Sequence, residues 1–323
     1  QRAGRAARQG PGVAYRLWEE HGHAGRAEFA PPEIETADLA PLVLKLAKWG
    51  TTEPADLAWL DPPPGSAVAT ARASLVKMGA LDEDGRITAR GNQIAALPLD
   101  PVGAAAVLFG AEVSQALDVA KLVLLLQERG LGGRGEDLLQ RLDRWDADRG
   151  RRAEASRKLA YIWAKAAERL VSGAEPGPRN PALFLAFARP DFVAKRRDKS
   201  GEQWLSAGGR GFQLDPTSSL ARAEWIVIGD AQGQAKGAQI TAAAELSAQD
   251  VDKHLENLIE KRSVIIWNNE ESRVEPRLER RLGAITMASG PDADPDPRAL
   301  VDKLVEKALE RLENLVPADL LSR

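Results

Sequence analysis

Residues 77–91 read K-M-G-A-L-D-E-D-G-R-I-T-A-R-G and contain the signals of a helix end followed by a tight turn. Glycine is the residue type that most often ends a helix in the left-handed conformation, so Gly79 is expected to stop a helix. Asp84-Gly85 is a pair typical of short hairpin turns, and it leads into Arg86-Ile87-Thr88. The stretch therefore predicts a helix that runs into a small hairpin.

The sequence before this stretch supplies two helices. The rigid turn L-D-P-P-P at residues 60–64 precedes a predicted helix over residues 67–78, with Ser66 as its cap. Apolar residues at helical spacing predict an earlier helix and are Leu39, Leu42, Val43, Leu46 and Ala47. Two helices and a hairpin outline a winged-helix domain. A DNA reader is disfavoured, because the helix in the position of a recognition helix carries only Arg72 and Lys77 as basic residues among apolar and small ones.

The first twelve residues, Q-R-A-G-R-A-A-R-Q-G-P-G, carry a different signal. Arginines at positions 2, 5 and 8 are spaced to lie near one another on a helix face. Each guanidinium offers a planar set of donors that suits phosphate oxygens. Several guanidinium groups beside a Gln amide could bind a polyphosphate and orient an attacking water, as in an arginine-finger site. The alternative is a solvated helix face. Residues 12–18 are predicted to form a strand after this helix.

These stretches together resemble one family. Q-R-x-G-R-x-x-R at residues 1–8 resembles motif VI of the DEAH-box helicases of superfamily 2, with Ala7 in place of the usual second glycine. L-D-P-P-P, residues 77–91 and A-A-L-P-L-D-P at residues 95–101 resemble the winged-helix domain of those helicases. The resemblance implies that Gln1 helps to place a catalytic water and that Arg5 and Arg8 reach the γ-phosphate of ATP. It also implies Mg²⁺ as the metal that accompanies ATP and RNA as the partner.

A helical region follows over residues 101–188. Residues 122–126 are almost wholly apolar, residues 130–135 contain four glycines and predict a flexible loop, and residues 137–145 and 153–170 are amphipathic. The second of these has an apolar stripe that comprises Leu159, Ile162, Trp163, Ala166 and Leu170. Trp145 and Trp163 are interpreted as core. The region resembles the helical ratchet domain of the family, and its basic residues fit a solvated face.

From residue 190 the hydrophobic period changes to two. Strands are predicted over residues 192–197, 203–206, 211–214, 225–228, 238–242, 264–267 and 282–287, with one helix over residues 248–261. Strands that close around one helix suggest an OB-fold barrel. R-P-D-F-V-A-K-R-R and W-L-S-A-G-G-R-G resemble the OB-like domain of the HrpB subgroup.

The same region is locally basic. Candidate contacts to single-stranded RNA, with DNA as a second option, are Lys195, Arg196, Arg197, Trp204 and Arg210. Basic residues interleaved with aromatic ones fit a groove that follows a nucleic-acid backbone. A hairpin edge kept soluble by its charges explains the same residues.

The resemblance implies a multidomain α+β chain. Its predicted parts are the end of a second RecA-like motor domain (1–32), a winged helix (33–100), a helical ratchet bundle (101–188), an OB-like β-barrel (189–290), and a linker with the start of a C-terminal helical extension (291–323). An apolar stripe at helical spacing in the last part comprises Leu300, Leu304, Ala308, Leu312 and Leu315. These parts follow the family's order, which predicts an ATP-dependent helicase that moves along single-stranded RNA.

Composition limits the function classes. The 323 residues have a formal net charge of -3 and no cysteine, so thiolate chemistry is excluded and a cytoplasmic location is the expectation. No apolar run is long enough to span a bilayer. His21 and His23 flank a glycine, but a polar loop explains them better than a metal site, and no metal site is expected in the chain. Protein partners are unknown.

Two motifs that ATP hydrolysis requires in this family are absent from the sequence. It contains no G-x-x-x-x-G-K-[ST] phosphate loop and no D-E-A-H box, so a C-terminal fragment that is inactive on its own is expected. The rival interpretation is a non-enzymatic winged-helix and OB-fold protein that binds nucleic acid as an adaptor or regulator.

Overall fold

A computed structural model describes residues 2–19, 21–25, 30–173, 175–233 and 237–310. Its first part contains two short helices, α1 (Arg2–Ala6) and α2 (His21–Ala24). The chain folds back on the end of α1, because a Cβ atom on Gly12 would lie 1.9 Å from the Ala6 carbonyl oxygen. The predicted strand over residues 12–18 is wrong. Residues 12–18 pair with no strand in the described part of the chain, and Tyr15 and Leu17 stay 87% and 94% exposed.

The next four helices lie in the region where the sequence predicts two helices followed by a hairpin. They are α3 (Glu33–Thr36), α4 (Ala40–Trp49), α5 (Gly65–Lys77) and α6 (Ala89–Ile94). The apolar stripe of α4 is buried at Val43, Leu46 and Ala47, as predicted. Helix α5 begins two residues earlier than expected, after Pro64, so Ser66 lies inside the helix and does not cap it.

The predicted hairpin is a very small wing. Gly79, at φ +70°, ends α5, and Gly85 takes φ +79° in the turn, but the only ladder contact is one bridge between Leu81 and Ile87. The Thr88 hydroxyl then accepts a hydrogen bond from the Gly91 amide at 2.9 Å and caps α6, which the sequence analysis did not predict. A Cβ atom on Gly91 would lie 2.0 Å from the Ala80 carbonyl oxygen, so glycine is required for this close approach.

Five helices form the centre of the molecule: α7 (Pro101–Ala111), α8 (Ala116–Gln127), α9 (Leu138–Ala147), α10 (Arg151–Glu168) and α11 (Ala182–Ala188). Trp145 and Trp163 are buried in the core, as predicted. The predicted apolar stripe of α10 is partly wrong, since Ile162 is 60% exposed. The buried stripe consists mostly of small residues, Ala153, Ser156, Ala160, Ala164 and Ala167. Small side chains let α10 approach its neighbours closely, which leaves the bulky Ile162 outside.

The following strands close into a five-stranded barrel. They are β1 (Val193–Arg196), β2 (Gln203–Ser206), β3 (Gly211–Gln213), β4 (Trp225–Gln232) and β5 (Ala238–Leu246), in the order β1-β2-β3-β5-β4. All neighbours are antiparallel except β3 and β5. The barrel closes before the helix α12 (Ala248–His254), so the prediction that later strands and the helix complete the barrel is wrong.

The later strands form a separate antiparallel sheet of β6 (Ile259–Asn268), β7 (Arg273–Leu282) and β8 (Ile285–Pro291). The helix predicted over residues 248–261 stops at His254, and Ile259 already belongs to β6. The predicted strand over 282–287 spans the turn at Gly283, where φ is +54°. Strand β7 was missed because six of its ten residues are charged.

The last described element is the helix α13 (Pro297–Glu310). Its apolar side chains Val301, Leu304 and Leu309 are about half exposed or more. Leu312 and Leu315 of the predicted stripe lie outside the described residues.

One continuous core joins the helices to the outside of the barrel. Along β4, Trp225 and Val227 point into the helical core, whereas Ile226 and Ile228 point into the barrel. The run W-I-V-I is therefore apolar throughout, because both faces of the strand are covered.

Candidate nucleic-acid interface

The arginines of the first segment are available to a ligand. Arg5 lies in the last turn of α1, whereas Arg8 lies after the helix end, so the arginines do not all share one helix face. Both side chains are exposed, and neither forms a hydrogen bond or ion pair within the described residues. Gln1 lies outside the described residues. Free guanidinium groups of this kind fit phosphate oxygens.

Two of the three consecutive basic residues on the barrel have partners inside the protein. Lys195 Nζ lies 3.5 Å from a carboxylate oxygen of Glu224 and 5.1 Å from the ring centre of Trp225. Arg196 Nη1 donates to the Ala221 carbonyl at 2.9 Å. Arg197 is exposed, and its side chain has no partner among the described residues. Only Arg197 is thus ready to contact a phosphate without giving up an existing bond.

The predicted stacking residue Trp204 is part of the barrel core. It is 1% exposed, and its Nε1 donates to the Gly201 carbonyl at 2.8 Å. The register pairs Trp204 of β2 with Phe212 of β3, and both side chains point into the barrel. Its ring faces are covered, so the structure contradicts the prediction that Trp204 stacks on a base. Arg210 is half-buried, with its guanidinium 4.9 Å from the Phe212 ring centre.

Arg189 has a structural role that the sequence analysis missed. Its guanidinium lies 3.7 Å from the Phe192 ring centre, and its Nη1 donates to the Gly229 carbonyl at 2.7 Å. Burial lowers the pKa of Arg189, while Asp100 is the first of three carboxylates that raise it. The residue joins the end of α11 to the barrel. The only sequence signal was its place at the start of R-P-D-F-V-A-K-R-R.

A cleft of 660 Å³ lies beside Arg189, between α5 and the barrel. Lys77 of α5 crosses it to Asp191 at 2.6 Å. Arg72 donates to the Thr52 carbonyl and to Glu53. Both basic residues of α5 therefore have partners inside the protein, in agreement with their poor fit to phosphate contacts.

Among the basic residues around α10, one binds backbone carbonyls and others are exposed. Arg157 donates to the carbonyls of Trp145 and Asp148, at 2.7 and 2.8 Å. Arg149, Arg151 and Lys158 are exposed. They remain consistent with a solvated face.

A second basic surface, which the sequence analysis described only as flexible, is the glycine-arginine loop, residues 129–135 (R-G-L-G-G-R-G). Arg129 and Arg134 are exposed and have no side-chain partner among the described residues. The loop and the β4–β5 hairpin border a cleft of 440 Å³. Arginines between glycines were the signal that could have revealed it.

The described residues contain no group of three or more His, Cys, Asp or Glu side chains arranged to hold a metal ion. His21 lies in α2, and its ring nitrogen is 2.9 Å from Glu19. No helix in the described ranges has both the length and the apolar character that crossing a membrane requires.

Comparison with known proteins finds helicases. The family model described as "Helicase associated domain (HA2), winged-helix" matches residues 71–99. ATP-dependent RNA helicase HrpB of Escherichia coli is 28% identical over 332 residues, which cover 99% of this chain and 39% of that protein. The pre-mRNA-splicing factor ATP-dependent RNA helicase prp22 of Schizosaccharomyces pombe is 29% identical over 145 residues, or 45% of this chain and 12% of that protein.

The structural comparison agrees with the sequence comparison. The crystal structure of the E. coli DExH-box NTPase HrpB matches with a TM-score of 0.75 and 28% identity, covering 96% of this chain and 38% of that one. The chain thus spans about two-fifths of the length of HrpB. The resemblance to the C-terminal portion of HrpB-like DEAH-box RNA helicases is confirmed.

Proposed function

We propose that this chain is the C-terminal part of an ATP-dependent RNA helicase, which couples ATP hydrolysis to movement along single-stranded RNA. The observation that carries the proposal is the match to E. coli HrpB along almost the whole chain, in sequence and in fold. A match to one widespread motif would leave the function open. A match that runs through every part of the chain in the same order makes a shared activity the best-supported function.

In this proposal the first segment contributes to the ATP site. Gln1 would place the attacking water, and Arg5 and Arg8 would stabilise the charge that develops on the γ-phosphate. The free, exposed guanidinium groups of Arg5 and Arg8 fit that role. ATP supplies a phosphoryl group, and Mg²⁺ neutralises its charge when both are bound. The described residues contain no group of three or more His, Cys, Asp or Glu side chains arranged for a metal ion, and in this proposal their share of the site is the arginine donors.

The remaining parts would build the RNA path. Residues 33–100 would form the winged helix, residues 101–188 the helical ratchet and residues 189–290 an OB-like domain. The strand order β1-β2-β3-β5-β4 in a closed five-stranded barrel supports the OB-like assignment. The linker after residue 290 and α13 would then lead into a C-terminal extension. A cytoplasmic location completes the proposal.

The chain by itself is proposed to be inactive as an ATPase, because its sequence has neither the phosphate loop nor the D-E-A-H box. Its own capacity would be RNA binding and part of a nucleotide site. The exposed Arg197 and the basic surfaces described above support RNA binding through phosphates.

The test compares steady-state ATP hydrolysis, with and without single-stranded RNA, for this chain and for a chimera of E. coli HrpB in which this chain replaces the matching region. Unmodified HrpB is the positive control, and RNA binding by the chain alone is measured in parallel. We expect RNA-stimulated hydrolysis by the chimera, none by the chain, and RNA binding by both. If the chain binds nucleic acid but the chimera does not hydrolyse ATP, the non-enzymatic adaptor becomes the better interpretation.

A further inference from the structure

The glycine-arginine loop is held from one side by three arginines. Arg144 donates to the carbonyls of Gly132 at 2.7 Å and of Arg134 at 3.0 Å. Arg152 donates to the carbonyl of Arg129 at 2.9 Å. The buried Arg141 donates to the carbonyl of Leu131 at 3.3 Å and, below the loop, to that of Leu125 at 3.0 Å. Four carbonyls of one short loop therefore face guanidinium groups of the protein.

This arrangement points amide groups of the loop the other way. In a trans peptide the carbonyl of one residue and the N–H of the next point in opposite directions. Because Arg152 holds the Arg129 carbonyl and Arg144 holds the Arg134 carbonyl, the amides of Gly130 and Gly135 point away from these arginines. Both glycines are exposed, and neither amide donates a hydrogen bond within the described residues.

The guanidinium groups of Arg129 and Arg134 add free positive charge to these amides. Both arginines line the 440 Å³ cleft together with Gly130 and Gly135. Unpaired backbone amides and free arginine guanidinium groups on the lining of one cleft are donors of the kind that bind a phosphate group. The volume lies within the range of roughly 300–1,000 Å³ typical of small-ligand sites.

The opposite wall of the cleft has different chemistry. Asp230 of β4, Gln232 of β4 and Thr241 of β5 line it. The Thr241 hydroxyl donates to one carboxylate oxygen of Asp230 at 2.8 Å, and the other oxygen accepts no hydrogen bond among the described residues. The buried Arg189 guanidinium interacts electrostatically with this carboxylate. The strand register shifts on both sides of Asp230, which is exposed at this bulge.

The floor of the cleft brings the two walls together. A Cβ atom on Gly229 would lie 2.5 Å from Leu126 Cδ2, so glycine lets β4 approach α8 closely. Leu125 and Leu126 form the apolar floor between the walls. The spacing of the walls is thus set by the packing of the core and does not depend on the loop alone.

A carboxylate repels a phosphate but accepts a hydrogen bond from a hydroxyl group. A ligand that fits both walls carries a phosphate on one side and a hydroxyl donor on the other. A ribose-phosphate unit has both, because the 2′-hydroxyl lies beside the phosphodiester, and this hydroxyl is what distinguishes RNA from DNA. We infer that this cleft binds one ribose-phosphate unit of single-stranded RNA, with the phosphate at the glycine-arginine loop and the 2′-hydroxyl at Asp230.

The inference rests on the proposed RNA-binding function and adds a second point of contact, on the opposite side of β4 and β5 from the barrel core. The test uses the whole 323-residue chain and fluorescence anisotropy with a short oligouridylate and the DNA oligomer of the same sequence. Affinities are measured over a range of salt concentrations. The variants are the double substitution Arg129→Gln and Arg134→Gln, the substitution Asp230→Ala, and Arg298→Gln as the matched control.

The double variant is expected to weaken RNA binding roughly tenfold and to lower the slope of log affinity against log salt by about 0.7, the value for one neutralised phosphate on a single strand. Asp230→Ala is expected to bring RNA and DNA affinities closer together, because the hydroxyl acceptor and the repulsion of phosphate are both lost. Arg298 is exposed and without a side-chain partner, so its substitution removes one exposed arginine charge away from the cleft and should leave both quantities unchanged.

Three outcomes would overturn the inference. If wild type binds RNA and the double variant has the same affinity and salt slope, the second contact is absent while the proposed function stands. If the double variant loses binding of inorganic pyrophosphate but keeps its RNA affinity, the cleft is a site for a free phosphate ligand. If wild type does not bind RNA at all, the proposed function of this chain falls together with the inference. Far-UV circular dichroism confirms that each variant is folded.

Discussion

Replacing Trp204 by leucine tests whether Trp204 is a core residue or a residue that stacks on a base. The indole of Trp204 is buried between β2 and its neighbours in the barrel. Its Nε1 donates a hydrogen bond to the Gly201 carbonyl oxygen at 2.8 Å. Loss of that bond costs about 1 kcal/mol of unfolding free energy. The smaller side chain leaves part of the indole volume unfilled, which costs about 2 kcal/mol more. We therefore expect Trp204→Leu to lower the free energy of unfolding by about 3 kcal/mol.

Urea unfolding followed by far-UV circular dichroism measures this loss, because that signal does not depend on the tryptophan that is replaced. The midpoint should fall by about 1 M if the slope is near 3 kcal/mol per molar. Trp49→Leu is the control: Trp49 is 75% exposed, so its substitution should change stability by no more than about 0.5 kcal/mol.

RNA affinity in the absence of urea gives the opposing readout. A stacked base contributes about 1–3 kcal/mol, so removal of a stacking ring would weaken binding by about fivefold or more. Because Trp204 faces the barrel interior, the leucine variant should bind single-stranded RNA as wild type does. Weaker RNA binding with an unchanged unfolding midpoint would refute the core assignment and restore Trp204 to the nucleic-acid surface.

Four other substitutions test separate parts of the chain. Gly91→Ala should destabilise the winged-helix part by about 1–3 kcal/mol, because its Cβ would overlap the Ala80 carbonyl, and a lower thermal midpoint would show this. Arg8→Ala in the HrpB chimera should reduce ATP turnover by on the order of a thousandfold with little change in RNA affinity; an unchanged turnover number would remove Arg8 from the site. Arg197→Ala should flatten the salt dependence of RNA binding by about one contact, or 0.7 in slope. Arg196→Ala should mainly lower stability, and the reverse pattern would show that Arg196 is the RNA contact.

The arginines on and around the glycine-arginine loop and the barrel fall into two groups: some donate to backbone carbonyls, and others remain free to bind a ligand. Arg141, Arg144, Arg152 and Arg196 all donate to backbone carbonyls. Arginine suits this task because its planar fork reaches two acceptors and keeps its charge. Side chains of the same type therefore shape the glycine-arginine loop from beneath and present charge above it. A count of basic residues in a segment cannot separate the two groups.

The first strand of the barrel illustrates the same point. Lys195, Arg196 and Arg197 are consecutive, and the sequence analysis treated them as one basic group. Successive side chains of a strand point to opposite faces, and their surroundings differ. Only Arg197 is left without a partner, so the expected RNA contribution of the group falls from about three contacts to one.

Local signals determined much of the architecture without the structure. Gly79 ends α5, Asp84-Gly85 turns the wing, and the four-residue periodicity of α4 buries Val43 and Ala47. These outcomes depend on backbone conformation and on neighbours a few residues away. The family resemblance was visible for the same reason, because motif VI and the winged helix are short, contiguous patterns.

The tertiary structure decided what depends on distant partners. The sequence could not show that the barrel closes with β5, since closure requires β1 to pair with β4 and β3 with β5. It also could not show which face of α10 is buried, because close packing selected alanines over Ile162. The same holds for the availability of each arginine, which is determined by whether a carbonyl from another segment lies within hydrogen-bonding distance. A sequence shows the chemistry of each residue and the period at which apolar residues recur. Burial and pairing depend on the segments that fold against that residue.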